Sequence, residues 1–201
     1  MKPCSTLQTA KKLAPTLALC AAFVTGCGFN AVVAEDETVK AAWAEVQSQY
    51  QRRADLVPNL VETVKGAAGF EQSVLTNVVE ARAKATAVTI DASIVDDPQR
   101  LQAFEEAQTR LSGALGRLLA VSESYPDLKA SAAFRDLMVQ LEGTENRITV
   151  ARGRYISAVA QYNTTVQSFP TMCGAGLRGK KVRPTFTATT PGAESAPKVQ
   201  F

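Results

Sequence analysis

Two runs of apolar residues at helical spacing, and the stretch that separates them, restrict this chain more than any other feature. Val39, Trp43, Val46 and Tyr50 recur in steps of four, three and four, the signature of one face of an amphipathic helix. The same step lands next on Arg53 and resumes at Leu60, Val64, Ala67, Glu71, Val74 and Val78. Between the two runs lies Pro58, which has no amide proton and disfavours the helical conformation at Val57, yet suits the first turn of a new helix. Asp55 is placed to cap such a turn. The spacing therefore predicts a helix over 30–53, an inter-helix turn built from Arg52, Arg53, Asp55, Pro58 and Asn59, and a second helix over 56–88, folded back as a helical hairpin. Gly66 and Gly69 would sit inside that second helix at a cost of about 1 kcal/mol each relative to alanine.

Beyond a polar loop at 91–97, Asp97-Pro98 forms a cap and first-turn pair for a third helix over 98–123, with Leu101, Phe104, Leu111, Leu115 and Leu118 on its seam. Ser124-Tyr125-Pro126-Asp127 ends it. A fourth helix over 131–168 carries Phe134, Leu137, Leu141, Ile148, Tyr155, Val159, Tyr162 and Val166 and stops before Pro170. No strand pattern precedes the tail. Short connections make successive helices antiparallel neighbours, so the expected fold is all-α: an antiparallel, up-and-down four-helix bundle within 27–170. Residues 171–201, with Pro184, Pro191, Pro197 and several threonines, read as a basic tail that is extended and largely disordered.

Composition excludes several functions. The 201 residues contain no histidine, which removes the commonest general base and the commonest metal ligand. No catalytic residue, metal site or cofactor is expected, and a hydrolase would need a nucleophile activated without histidine. Lys2, Lys11 and Lys12 account for the whole formal charge of +3, so the remainder is neutral, which disfavours a nucleic-acid partner. That neutrality hides a division: 28–170 is net acidic, whereas the tail carries Arg178, Lys180, Lys181, Arg183 and Lys198 against Glu194. Arg178, Lys180, Lys181 and Arg183 have two candidate surfaces, anionic lipid or the acidic bundle itself.

The N-terminus reads as an export signal. Lys11 and Lys12 precede an apolar run, Leu13 to Val24, of about 12 residues, where a spanning helix needs roughly 20. Val24-Thr25-Gly26-Cys27 resembles the bacterial lipobox. The resemblance implies that 1–26 is a lipoprotein signal peptide and that Cys27 is lipidated, which places the protein on a membrane of the bacterial cell envelope through a lipid anchor. Gly28 after Cys27 resembles lipoproteins released to an outer membrane, facing the periplasm, where the source has one. With the first helix leaving the membrane, the 52–59 turn would be the distal tip, about 36 Å out at 1.5 Å per residue, and the tail would face the bilayer.

Four charged residues, Arg53, Glu71, Glu145 and Arg152, fall where the seam calls for apolar side chains. An unpaired charge there costs several kcal/mol, while pairing offsets much of that cost and fixes which helices are neighbours. Ion pairing across the seam and snorkelling at its edge both satisfy the pattern.

Taken together, Phe29-Asn30, Ala42-Trp43-Ala44, Gln51-Arg52-Arg53-Ala54-Asp55-Leu56-Val57-Pro58-Asn59-Leu60-Val61, Thr63-Val64-Lys65-Gly66, Glu80-Ala81-Arg82-Ala83, Ser124-Tyr125-Pro126-Asp127-Leu128-Lys129-Ala130, Glu142-Gly143-Thr144-Glu145-Asn146-Arg147-Ile148 and Tyr162-Asn163 resemble the LemA family. The resemblance covers about 29–186 and implies an antiparallel helical bundle in the bacterial envelope, in a family mostly without assigned biochemistry. The tail departs from the family pattern at Gly176-Leu177-Arg178-Gly179 and Phe186-Thr187. The function expected is structural or protein-interaction, with envelope proteins as partners. The alternative is a binding module that holds a small apolar or peptide ligand between helices.

Overall fold

The computed structural model describes the backbone of residues 6–67, 69–88 and 92–186, and side chains from residue 30 onward except that of residue 92. Every regular element among the described residues is a helix, with no strand. Helix α1 spans Thr6–Lys65, α2 Gln72–Ala87, α3 Pro98–Ser122, the short α4 Pro126–Ala130, α5 Ala132–Gln167 and α6 Thr171–Leu177, with a 3-10 turn at Ala92–Asp96 before α3. The segment 1–26 read as a signal peptide and the side chain of Cys27 lie outside the residues whose side chains are described, as does the tail from 187 onward.

The first correction concerns Pro58. No turn interrupts the chain at 52–59: Arg52, Arg53, Asp55, Pro58 and Asn59 all lie inside α1, which continues to Lys65. Asp55 caps nothing and instead accepts a hydrogen bond from Gln51 Nε2 one helical turn earlier, at 2.8 Å. A proline inside a helix removes the bond that its amide would donate to the carbonyl four residues back, at a cost of about 3 kcal/mol or more. Here that carbonyl is the carbonyl of Ala54, a buried residue, and Nε of Arg82 on α2 donates to it at 2.8 Å. A side chain from the next helix thus supplies the donor that Pro58 lacks, while the proline ring sits on the exposed face. The reversal comes later, at 66–71, where Gly69 adopts φ +79°, a left-handed conformation that glycine enters without steric cost. Helix α2 accordingly begins at Gln72 rather than 56.

The chain divides into two compact units. The first comprises Met1–Ala41 and Ser157–Arg183, the second Ala42–Ile156 and Pro184–Phe201. In the second, one apolar core draws on Val57, Leu60 and Val64 of α1, Leu75, Val78 and Ala85 of α2, Leu111, Leu115 and Leu118 of α3, and Phe134, Leu137 and Leu141 of α5. Trp43, Tyr50, Phe104 and Tyr155 add an aromatic cluster, with Trp43 and Phe104 edge-on at 5.5 Å between ring centres. Asp97 caps α3 by accepting from the amides of Gln99 and Arg100 at 2.9 and 3.2 Å, and Pro98 fills the first turn. Glu45 pairs with Arg154 and Arg53 with Glu145, so residue numbers rise along α1 as they fall along α5 and the two helices run antiparallel in this unit. Phe186 of the tail packs at 5.2 Å from Tyr155 and under the Arg152 guanidinium, which sits 4.2 Å from its ring centre.

In the first unit the tail is also ordered, against the expectation of disorder from 171. Helix α6 ends in a Schellman arrangement: the amide of Lys180 bonds the carbonyl of Ala175 at 2.9 Å, the amide of Gly179 bonds that of Gly176 at 3.1 Å, and Gly179 takes φ +64°. The chain is thereby turned so that Asn163 on α5 grips the backbone of Arg183 from both sides, donating to its carbonyl at 2.9 Å and accepting from its amide at 2.8 Å.

If Arg82 replaces the proton missing from Pro58, Arg82→Met should cost about 1–3 kcal/mol by leaving a buried carbonyl unsatisfied. The same change made on Pro58→Ala, which restores the amide, should cost clearly less. A double-mutant cycle by urea unfolding measures the coupling, and additive effects would refute the substitution.

Candidate functional site

The polar residues of the second unit are arranged around Arg53, which is 1% exposed. The periodicity that buries Tyr50 and Val57 also buries Arg53, so its guanidinium has to be matched by groups from other helices. Nη2 donates to the side-chain oxygen of Gln108 at 2.5 Å and to its backbone carbonyl at 3.3 Å, and Nη1 donates to the hydroxyl of Ser112 at 2.7 Å and to Glu145 Oε1 at 2.9 Å. The ring of Tyr50 lies 5.0 Å from the guanidinium carbon. Gln108 also reaches α2, donating to the carbonyl of Ala85 at 3.4 Å. A single arginine therefore links α1 to α3 and α5, and its amide partner ties in α2.

A second arginine extends this network. Arg152 of α5 pairs with Glu105 of α3 at 3.2 Å and donates to the hydroxyl of Tyr50 at 3.3 Å. Of the four seam charges read from the sequence, Arg53 and Glu145 meet each other, Arg152 meets Glu105, and Glu71 meets none of the three. Glu71 is exposed at the start of α2, because the break at 66–71 removes it from the seam. The Glu145 carboxylate is itself 46% exposed, so it joins the arginine from the rim.

Two open clefts flank this core, both lined by motif residues. One, of about 450 Å³, is formed by Thr63, Gly66 and Ala67 at the end of α1 with Ser124, Tyr125, Pro126, Asp127, Leu128 and Ser131 around α4. Tyr125 closes one wall, its hydroxyl donating to the carbonyl of Gly69 at 2.8 Å and its ring 5.0 Å from that of Phe70. The other, of about 620 Å³, runs along α1 and α5 and is lined by Gln51, Arg52, Asp55 and Asn59 facing Gln140 and Arg147. Of the residues of the expected turn, Arg52, Asp55 and Asn59 thus line the polar flank of a continuous helix.

A sequence model of the LemA family matches residues 42–201. The chain belongs to the LemA family. It is 25% identical over 158 residues to the magnetosome protein MamQ of Magnetospirillum gryphiswaldense, covering 71% of this chain and 58% of that protein. It is 21% identical over 146 residues to Protein LemA of Metamycoplasma hominis, covering 73% and 63%. The chain thus spans about three-fifths of the length of these relatives.

Within this LemA family chain, the resemblance motifs now have physical roles. Arg53 and Glu145 link α1 to α5, Arg82 donates to the Ala54 carbonyl that Pro58 leaves without a donor, Tyr125 braces the loop after α1, and Asn163 clamps the tail. The four tail cations do not share one environment. Arg183 is buried, its guanidinium 2.9 Å from Asp36 Oδ1 and 4.8 Å from the ring centre of Tyr162, and Lys180 lies 2.9 Å from Asp36 Oδ2. These two are thus paired with a carboxylate of the acidic helical region, Lys180 with its side chain still 29% exposed, while Arg178 and Lys181 are exposed. Asp36 went unnoticed in the sequence although it lies three residues before Val39, one step back along the same seam. Glu105 gave no signal, since it stands beside the seam residue Phe104 rather than on the step.

Burial alone would raise the Asp36 carboxyl, but hydrogen bonds from Lys180 and Lys40 and the charges of Arg183 and Lys180 outweigh it and hold the carboxyl below its ordinary 3.8. A group depressed on folding contributes stability that is present above its unfolded value and lost as pH falls through the folded one. Asp36→Asn should therefore cost about 2 kcal/mol at pH 7. The deficit relative to the unaltered chain should close in acid, as read by urea unfolding at the two pH values; an equal deficit at both would refute the ion-pair account.

The geometry around Arg53 predicts an order of costs. Gln108→Leu, which strips a buried guanidinium of its closest acceptor, should cost about 1–3 kcal/mol. Glu145→Gln, at a half-exposed carboxylate, should cost less than about 1 kcal/mol. Equilibrium denaturation in urea tests the ranking, and the reverse order would refute it.

Proposed function

We propose that this LemA family chain is a non-catalytic, membrane-anchored protein of the bacterial cell envelope that acts through structural and protein–protein contacts. In this reading residues 1–26 are a lipoprotein signal peptide, Cys27 carries the lipid, the long helices form an antiparallel up-and-down four-helix bundle, and an outer-membrane site facing the periplasm applies where the source has two membranes. The observation that carries the proposal is how the polar motif residues are used. Arg53, Arg82 and Asn163 are bound into packing, with Gln108 and Glu105 outside the motifs answering the arginines, and no nucleophile–base pair is assembled from these residues. The motif residues that stay outside, Arg52, Asp55, Asn59 and Arg147, line an open polar groove along α1 and α5, a surface suited to the polar face of another protein. Kinship with a protein named for the magnetosome supports membrane association.

A second reading is favoured by the cleft beside Tyr125, whose hydroxyl groups and single carboxylate, that of Asp127, suit a short peptide better than a small apolar ligand, the two ligands expected from the sequence.

Two measurements test the first reading. Mass spectrometry of the mature N-terminus should find Cys27 carrying a diacylglyceryl group, and Cys27→Ser should move the protein out of the membrane fraction. Photo-crosslinkers placed at Arg52 and Arg147 should capture an envelope protein in cells. An unmodified Cys27 would overturn the anchor, and crosslinkers that capture nothing would overturn the groove as the contact surface.

A further inference from the structure

Among the described residues, eight large apolar side chains are exposed, and four of them, Phe169, Met172, Leu177 and Val182, fall within one 14-residue stretch of the first unit. Phe169 is 76% exposed and Leu177 84%. Scattered single exposures need no explanation, but a concentration of this kind marks a surface that something else covers. With one residue on either side, 168–183, the stretch contains no acidic residue and four basic ones. Asp36 takes Lys180 and Arg183 inward, and Arg178 and Lys181, next in the chain to Leu177 and Val182, are exposed. A segment that exposes apolar side chains and cations and carries no carboxylate matches the boundary between acyl chains and anionic headgroups.

The placement of the stretch in its unit points the same way. Gln161 of α5 lies 3.4 Å from Glu35 of α1, with the helices antiparallel, so the end of α5 at residue 167 comes into register with α1 near residue 30. Phe169 and α6 thus sit at the end of the unit where α1 arrives from the N-terminal segment with its apolar run, Leu13 to Val24.

We propose that α6 and its flanks, Phe169, Met172, Leu177 and Val182 with Lys181, form an interfacial contact that inserts into an anionic lipid bilayer. This rests on the membrane reading above only in taking a bilayer as the surface at hand; lipid on Cys27 is a separate matter. Holding this end of the unit against the headgroups would orient the protein, which a flexible acyl tether alone does not. The Schellman turn and the Asp36 pairs give the contact a fixed shape.

The native thiol of Cys173, exposed within the patch, provides the probe. The full-length chain with Cys4→Ser, Cys20→Ser and Cys27→Ser carries a polarity-sensitive fluorophore at Cys173 alone and is mixed with phosphatidylcholine vesicles, with and without phosphatidylglycerol. The expected result is a blue-shifted emission that grows with the anionic fraction, falls with salt, and is quenched by brominated acyl chains. Lys181→Gln should weaken binding to the anionic vesicles about fivefold, and Phe169→Ser with Leu177→Ser should abolish the shift. A probe moved to Val139, exposed in the second unit, should stay aqueous. Emission at Cys173 that remains aqueous on both vesicle types overturns the proposal. A shift that appears without vesicles as protein concentration rises assigns the patch to a second copy and overturns it equally. Because Cys27 is replaced throughout, the outcome is independent of lipidation, so failure of the anchor and failure of this contact are distinguishable.

Discussion

A guanidinium buried among four helices is the constraint on which the second unit depends. Arg53 cannot shed its charge, so every helix that shuts it away from water must bring an acceptor or an aromatic face to it. Gln108, Ser112, Glu145 and Tyr50 do so from three helices, and Gln108 carries the link on to α2. An apolar residue at this position would pack in several registers of the seam. The arginine is satisfied in one, because a shift of one helical turn along α3 or α5 would remove its partners. Specificity of register, more than added stability, is what such a residue contributes.

The two units solve the same problem with opposite signs. In the second a buried cation collects acceptors. In the first a buried carboxylate, Asp36, collects Lys40, Lys180 and Arg183, and through them the chain after α6 is drawn onto α1 and α5. The net acidity of the helical region and net basicity of the tail, visible in the composition, find one concrete expression in those pairs. Outside those pairs a few apolar and basic side chains around α6 are exposed to solvent.

The function proposed for this chain is a matter of surfaces. Arg53 is consumed by packing and Arg152 is paired with the buried Glu105, and motif residues left exposed line broad, open clefts. Such clefts recognise by shape and by many weak polar contacts, which is how proteins meet one another and unlike how a reacting bond is held.

Local pattern alone determined that the chain is helical, where α3 begins at Asp97-Pro98, and that Arg53 lies among apolar neighbours, because spacing, caps and first-turn prolines act over a few residues. It also marked Glu145 and Arg152 as misplaced charges, though not that Glu105 and Gln108 would answer them, since partners from other helices leave no trace at short range. Where the first helix ends was decided by tertiary structure. Pro58 has the stronger local claim to break it and Gly69 the weaker, and the order is reversed by Arg82, 28 residues beyond Ala54, whose side chain supplies the donor the proline took away.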